Sequence, residues 1–164
     1  LGSAAVQIAA AGGARVIATA STEAKLAQAR ELGAHETIDY GERDFAEAVR
    51  EITKGAGVDV VLDHLGGSTF VESLSCLARS GRLVCCGETG SPSATIAIRP
   101  FYNRERTILG SYLGTRREFL DVLDLLGRRS LRPVVDASFP LERAGEAHRY
   151  LEERHAFGKV VLEI

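Results

Sequence analysis

Gly2-Ser3-Ala4-Ala5-Val6-Gln7-Ile8-Ala9-Ala10, then Gly12-Gly13, then Arg15-Val16-Ile17-Ala18-Thr19-Ala20-Ser21 is the stretch that decides the fold. Its first part is a helix with small residues along one side, since alanine gives up no side-chain entropy on entering a helix. Gly12-Gly13 ends that helix, and Arg15 to Ala20 is a buried strand. A helix, a glycine stop and a buried strand in this order make the second half of a βαβ unit. The same residues also suit an ordinary Ala-rich core helix ahead of an ordinary strand, and on their own they leave both readings open.

The rest of the chain narrows the choice. Thr22 suits the N-cap of a helix on which Leu26, Ala29 and Leu32 share an apolar side, with Gly33 as its stop. Thr37-Ile38 is a short β-like pair before Asp39-Tyr40-Gly41. Asp44 and Glu47 form a capping-box pattern for a third helix carrying Phe45, Ala48, Val49 and Ile52 on one face, and Gly55-Ala56-Gly57 breaks it. Val58 to Asp63 is a strand apolar on both faces toward its end, as suits a parallel strand covered by helices. Gly66-Gly67 turns into a helix with Phe70, Leu74 and Leu77 in helical register, ended by Gly81, and Arg82 to Gly87 is the next strand. Glu88 to Ser93 is a polar loop. Thr95 to Ile98 comes next as a short edge strand ahead of Pro100, and Arg106 to Leu113 as a further strand. Thr115 with Glu118 caps a helix bearing Phe119, Val122, Leu123 and Leu126. Arg132 to Phe139 is extended, with Pro133 suited to a strand's beginning or an edge. Leu141, Ala144, His148 and Leu151 trace a last helix, and Lys159 to Ile164 a final strand.

Strand and helix alternate about every thirty residues, which argues for right-handed crossovers and a parallel sheet. The expected fold is α/β, a doubly wound parallel sheet, with roughly the last fifty residues breaking the rhythm as an appendage. A chain of 164 residues with 45% apolar and 26% charged residues is long and apolar enough for one ordinary globular core. A formal charge of −2 with interspersed signs gives no electrostatic argument for nucleic acid or a membrane surface as partner. No run approaches the roughly twenty apolar residues of a membrane span, and no signal peptide is recognisable. Cys76, Cys85 and Cys86 sit at no metal-ligand spacing, and adjacent strand residues point to opposite faces, so no metal site is assigned. They fit free thiols in a reducing, cytoplasmic setting. The chain has no methionine and opens inside a predicted helix, so it is expected to be a piece of a longer protein.

A βαβ unit of this kind follows a G-x-G-x-x-G turn when it binds a dinucleotide, and Gly2 stands where the last of those glycines would be. An acidic side chain about twenty residues beyond that turn would hold the adenosine 2′-hydroxyl of NAD, whereas NADP needs the acid gone and a cation near. The position falls at Ser21, with Thr22 beside it and Lys25 one turn into the next helix. Hydroxyls and an ammonium suit a phosphate, and a carboxylate would repel it. The sequence therefore favours NADPH over NADH. Ser21 and Thr22 as mere helix caps, with Lys25 solvated, is a compatible second reading.

The segments Gly2 to Ala9, Gly13 to Ser21, Lys25 to Ala34, Gly57 to Asp63, Gly81 to Val84 and Gly158 to Leu162 together resemble the medium-chain dehydrogenase/reductase superfamily. The likeness is greatest to its quinone oxidoreductase and zinc-type alcohol dehydrogenase branches, and it runs through all the residues. It implies a Rossmann-type sheet lacking its first, central strand, spanning residues 1–112. Residues 113–164 would return to a GroES-like catalytic domain. In the order 3-2-1-4-5-6 the absent strand would leave Arg15–Ala20 and Val58–Asp63 separated by about two strand spacings, roughly 10 Å. The resemblance also implies site residues. Gly2 would belong to the pyrophosphate turn, and Ser21, Lys25 and Tyr40 would surround the 2′-phosphate. Leu65-Gly66 and Cys86-Gly87 would line the nicotinamide half, Leu109-Gly110 would meet the carboxamide, and Lys159 would reach the pyrophosphate.

The resemblance implies an NADPH-dependent oxidoreductase passing hydride to a quinone, enone or other carbonyl compound, in a homodimer paired through the Arg106–Leu113 edge strand. The family's zinc ligands lie mostly ahead of the matching segments, which leaves zinc undetermined and a zinc-dependent alcohol dehydrogenase as the near alternative. A non-catalytic nucleotide-binding module is the alternative of another class. A methyltransferase-like variant would prefer an acid at Ser21. His64 is expected to line the cofactor or to be hydrogen-bonded rather than to relay protons. His148 is expected to be packed, and Arg104-Glu105-Arg106 and Arg116-Arg117 to be solvated charge. No Ser/His/Asp triad or carboxylate pair can be argued from spacing.

Overall fold

The computed structural model of the chain describes residues 1–128 and 131–164. In order, its elements are α1 (Gly2–Ala11), β1 (Ile17–Ala20), α2 (Glu23–Glu31), β2 (Glu36–Asp39), α3 (Phe45–Ile52), β3 (Val58–Asp63) and α4 (Gly67–Ser75). They continue with β4 (Leu77–Cys85), α5 (Ile98–Tyr102), β5 (Thr107–Gly110), α6 (Arg116–Gly127), β6 (Val135–Pro140), a 3₁₀ turn (Leu141–Arg143), α7 (Ala144–Glu152) and β7 (Lys159–Glu163). The caps expected at Thr22 and Asp44 form. Thr22 Oγ1 accepts from the Lys25 N–H at 3.3 Å, and Asp44 Oδ1 accepts from Ala46 N at 2.8 Å and Glu47 N at 3.0 Å. Each satisfies helix N–H groups that have no intrahelical acceptor.

The strands form three sheets, β1-β2, β3-β4-β5 and β6-β7. Val16 O accepts from Glu36 N and Ala20 O from Tyr40 N, so β1 and β2 run the same way. β4 pairs in parallel with β3 on one side and β5 on the other, which makes it the central strand of its sheet. β1 and β3 belong to separate sheets and are not hydrogen-bonded neighbours, as a doubly wound sheet without its first strand requires. No helix among the described residues is long and apolar enough to cross a membrane.

The chain divides into two compact units. One comprises Leu1–Ala18, Thr22–Thr37 and Arg116–Ile164. Its core gathers Val6, Val16, Ala29, Leu32 and Ala34, with Ala9, Ala10, Val134 and Phe157 packed against them. The small side chains of α1 let the turn after α2 come close. A Cβ on Gly33, whose φ is +109°, would lie 2.8 Å from that of Ala10. Gln7, buried in α1, donates to Ser3 O and Arg132 O and accepts from Arg132 N, which ties the Arg132 segment to that helix. The other unit comprises Thr19–Ser21 and Ile38–Thr115. Leu74, Leu77 and Leu83 form its centre, with Val58, Val61, Phe70, Ile96, Phe101 and Ile108 around them.

Several expectations are corrected. The helix beginning at Gly67 stops at Ser75, and Leu77 opens β4, so Gly81 lies within a strand rather than ending a helix. Leu77 pairs with Val58 and Arg82 with Val60, so Ala78 to Gly81 bulge out of the ladder. Leu77 reaches the core from either conformation, and periodicity cannot separate a buried helix end from a strand start. Thr95 to Ile98 is not an edge strand; Ile98–Tyr102 is a short helix that takes Pro100 into its first turn, where the missing N–H would be unpaired anyway. β3 is not covered on both faces within its unit, since Val60 is 55% and Leu62 40% exposed. β5 ends at Gly110, and Tyr112 and Leu113 are exposed beyond it. His148 is exposed: the inward face of α7 is set by buried Ala147 and by Tyr150, whose hydroxyl donates to Asp136 Oδ2 at 2.7 Å. Arg106 is not solvated charge, because its Nη2 donates to Leu77 O at 2.6 Å and Ser75 O at 3.3 Å, tying β5 to the end of α4.

Candidate functional site

In an open parallel sheet, ligands lie beyond the carboxyl ends of the strands. In β3-β4-β5 those ends are Asp63, Cys85 and Gly110, aligned by the pairs Asp63↔Cys85 and Cys85↔Gly110. Asp63 closes a strand whose preceding three residues, Val60, Val61 and Leu62, are apolar, and its side chain is buried. Its Oδ1 accepts from Leu65 N at 3.1 Å and Gly66 N at 2.9 Å, and its Oδ2 accepts from Ser73 Oγ at 3.0 Å. A carboxylate at this position would be costly without partners, and these three donors meet that demand.

The turn so fixed lies against the loop after β4. Gly90 N donates to Leu65 O at 2.7 Å, Ser91 N to the same oxygen at 3.3 Å, and Thr89 Oγ1 to His64 O at 3.2 Å. Gly66 has φ +74° and ψ −163°, a conformation that only glycine holds without strain. It bridges Ser91, whose carbonyl oxygen would sit 2.4 Å from any Cβ added there. Cys86 N donates to Asp63 O at 3.1 Å, and a Cβ on Gly87 would be 2.9 Å from His64 O. The structure thus brings Leu65, Gly66, Cys86 and Gly87 together at one end of the sheet. Leu109 and Gly110 end the neighbouring strand, where Ser111 N donates to Cys85 O at 2.9 Å and Gly110 has open space around its Cα.

Ser21, exposed, follows β1, and exposed Tyr40 follows β2, its N–H donating to Ala20 O at 3.1 Å. The remaining expected residues belong to the other unit. Gly2 is the first residue of α1, which has no side-chain cap, and a Cβ there would meet nothing within 4 Å. Lys25 lies in the first turn of α2, and its Nζ donates to Arg154 O at 2.5 Å. An ammonium has three N–H donors, so this bond leaves others for a ligand. Exposed Lys159 opens β7. An open cavity of about 330 Å³ in the same unit is lined by Gln7, Ala10, Ala11, Glu31, Leu32, Leu131 and Arg132, none of them an expected ligand residue. The strand ends carry the site more securely, because their polar groups converge.

Burial pushes the pKa of the Cys76 thiol up to about 11 and also raises that of Cys86, whose Sγ lies 3.6 Å from Asp63 O. Sequence reasoning missed Asp63 and Ser73. The available signal was an Asp ending the apolar run Val60-Val61-Leu62 three residues before a glycine, the spacing at which a carboxylate captures the N–H groups of the following turn.

With the geometry in hand, similarity to known proteins identifies the class. The zinc-binding dehydrogenase family model matches residues 1–128. The chain belongs to this family, within the medium-chain dehydrogenase/reductase superfamily. It is 39% identical over 160 residues to 2-haloacrylate reductase of a Burkholderia species, covering 92% of this chain and 48% of that protein. It is 34% identical to quinone oxidoreductase of Pseudomonas aeruginosa, covering 92% of this chain and 49% of that protein. A crystal structure of an NAD-dependent alcohol dehydrogenase superposes with a TM-score of 0.89 at 40% identity, covering 99% of this chain and 47% of the other. The chain spans about half the length of the relatives it matches.

Proposed function

We propose that the full-length protein is an NADPH-dependent oxidoreductase that moves hydride between nicotinamide and a quinone, enone or other carbonyl compound. The observation that carries this is the convergence of glycine-rich turns at the carboxyl ends of β3, β4 and β5, in a chain of this family. The donor set fits a dinucleotide: main-chain N–H groups at the open start of α1, hydroxyls at Ser21 and Thr22, and spare N–H donors on Lys25. NADPH, when bound, supplies the hydride. The chain's own residues bind and orient. The start of α1 faces a pyrophosphate, Ser21, Lys25 and Tyr40 take the 2′-phosphate, and Lys159 adds positive charge. Leu65, Gly66, Cys86, Gly87, Leu109 and Gly110 form the wall against which a nicotinamide is held. Fixing that ring in reacting geometry is the protein's contribution to rate. Residues 1–112 are the cofactor domain in this reading, and 113–164 rejoin the catalytic domain. β5, an edge of its sheet, offers the Arg106–Leu113 stretch for pairing with a second copy.

The test is NADPH oxidation by full-length protein against a panel of quinones, enones and aldehydes. Turnover of at least one is expected. NADPH binding with no turnover across the panel would instead mark a non-catalytic nucleotide-binding module. The family's zinc-binding name favours one second reading, a zinc-dependent alcohol dehydrogenase. Stoichiometric zinc essential to activity would establish it.

A further inference from the structure

Resting on the cofactor reading above, we propose that Asp63 and Ser73 are positioning residues that hold both loops of the nicotinamide wall in one arrangement. Neither side chain need touch the ligand. Asp63 is 4% and Ser73 5% exposed, and the two meet through the 3.0 Å bond from Ser73 Oγ to Asp63 Oδ2. That bond fixes the rotation of the carboxylate about its own axis. The other oxygen, Oδ1, then points at the Leu65 and Gly66 N–H groups, at 3.1 Å and 2.9 Å. With the turn pinned by these bonds, His64 and Leu65 present their carbonyl oxygens to the second loop. Thr89, Gly90 and Ser91 donate to them, the shortest bond being 2.7 Å from Gly90 N to Leu65 O. The chain of contacts therefore runs from a helix, through one carboxylate, to two loops.

Ser73 lies on α4, a rigid element whose Leu74 is in the core, so the loops inherit their placement from packed structure rather than from their own polar sequence. A strand-end carboxylate serving only as a helix cap would need one of its oxygens. Here both are used, and the second is anchored from within the helix that follows the turn. Because the turn carries Gly66, held at φ +74° against Ser91, small rotations of the carboxylate become displacements of both loops.

The experiment uses three variants of full-length protein, Asp63→Ala, Asp63→Asn and Ser73→Ala, with two readouts. Amide hydrogen exchange needs no cofactor. Asp63→Ala is expected to speed exchange at Gly66 and at Gly90 by roughly tenfold or more, while Leu83 in β4 stays protected. Steady-state kinetics with NADPH should then show kcat reduced about tenfold or more and the NADPH KM changed by less than about threefold, the pattern of lost orientation rather than lost binding. Asp63→Asn keeps an oxygen for the two N–H groups and should recover most of that loss. Ser73→Ala keeps the acceptor but frees its rotation, and should fall between. Should Asp63→Ala fail to fold, Ser73→Ala carries the test on the same two readouts. Faster exchange at Leu83 with no selective change at Gly66 and Gly90 would overturn the proposal, as would Asp63→Asn behaving like Asp63→Ala. Selective exchange effects in a protein that binds no NADPH would uphold the loop anchor and overturn the cofactor reading instead.

Discussion

Replacing Gly66 by alanine puts a methyl group where the structure has no room to spare. The backbone there has φ +74° and ψ −163°, and the new Cβ would lie 2.4 Å from Ser91 O. Holding a non-glycine residue in that region costs about 1–3 kcal/mol. Relieving the overlap means retracting Ser91 by roughly an ångström, since carbon and oxygen rest well beyond 3 Å apart. That motion strains the bonds from Gly90 and Ser91 to Leu65 O, 2.7 Å and 3.3 Å long, each worth about 0.5–1.5 kcal/mol. Together the penalties amount to roughly 2–6 kcal/mol, a large share of a domain's stability. Gly110→Ala supplies the internal control. Its Cβ would meet nothing within 4 Å, so stability should change by less than about 0.5 kcal/mol. Equilibrium denaturation of wild type and both variants measures the difference. If Gly66→Ala unfolds at the wild-type midpoint, the tight pairing of the two loops is wrong. Loss of nucleotide affinity in Gly110→Ala, by contrast, would report a ligand contact, because the fold gives no other reason for it.

Leu83→Ala, at a fully buried position in the central strand, should cost about 2–5 kcal/mol in the same denaturation assay. Asp44→Ala removes two acceptor contacts at the start of α3 and should cost about 1 kcal/mol, with near-wild-type nucleotide behaviour. Burial holds Cys76 at about 11, so labelling it with iodoacetamide near about pH 8 should be at least roughly a hundredfold slower in folded than in denatured protein. The Arg79 guanidinium and the Ser80 hydroxyl hold Glu105 below its ordinary value. A lowered carboxylate contributes stability above its unfolded value and loses it as pH falls through the folded one. Glu105→Gln should therefore lower stability slightly at neutral pH and flatten the acid limb of a stability–pH profile below about pH 4.5 by the same small amount, the effect being small because the pair is exposed.

Elements are more legible in this sequence than their neighbours in space. Val58–Asp63 reads correctly to the residue because Gly57 stops the preceding segment and Val58, Val60, Val61 and Leu62 favour a strand, and the α3 start does so because its cap is a local interaction. Local signals run out where one core accepts a side chain from two conformations. Leu77 is buried either way, so its periodicity extends a helix into what is a strand. Pro100 reads as a boundary marker, although a first helical turn accommodates it. His148 falls on an apolar stripe one residue out of phase, because Ala147 is too small to announce the inward face. Arg106 looks like one more surface cation, since its acceptors, Ser75 O and Leu77 O, are main-chain atoms about thirty residues away. The candidate site divides in the same way. Leu65-Gly66 and Cys86-Gly87 are visible as strand ends, whereas Asp63 and Ser73 acquire their role only when a helix turns back over its own strand.

The cofactor choice rests on Ser21, the polar, uncharged residue at the end of β1. Titrating full-length wild-type protein and Ser21→Asp with NADPH and NADH, followed by nucleotide fluorescence, is the most direct test of it. Wild type should bind NADPH more tightly, and the new carboxylate should erode that preference by about tenfold or more through repulsion of the 2′-phosphate. Equal affinities in wild type, or a preference untouched by Ser21→Asp, would contradict it.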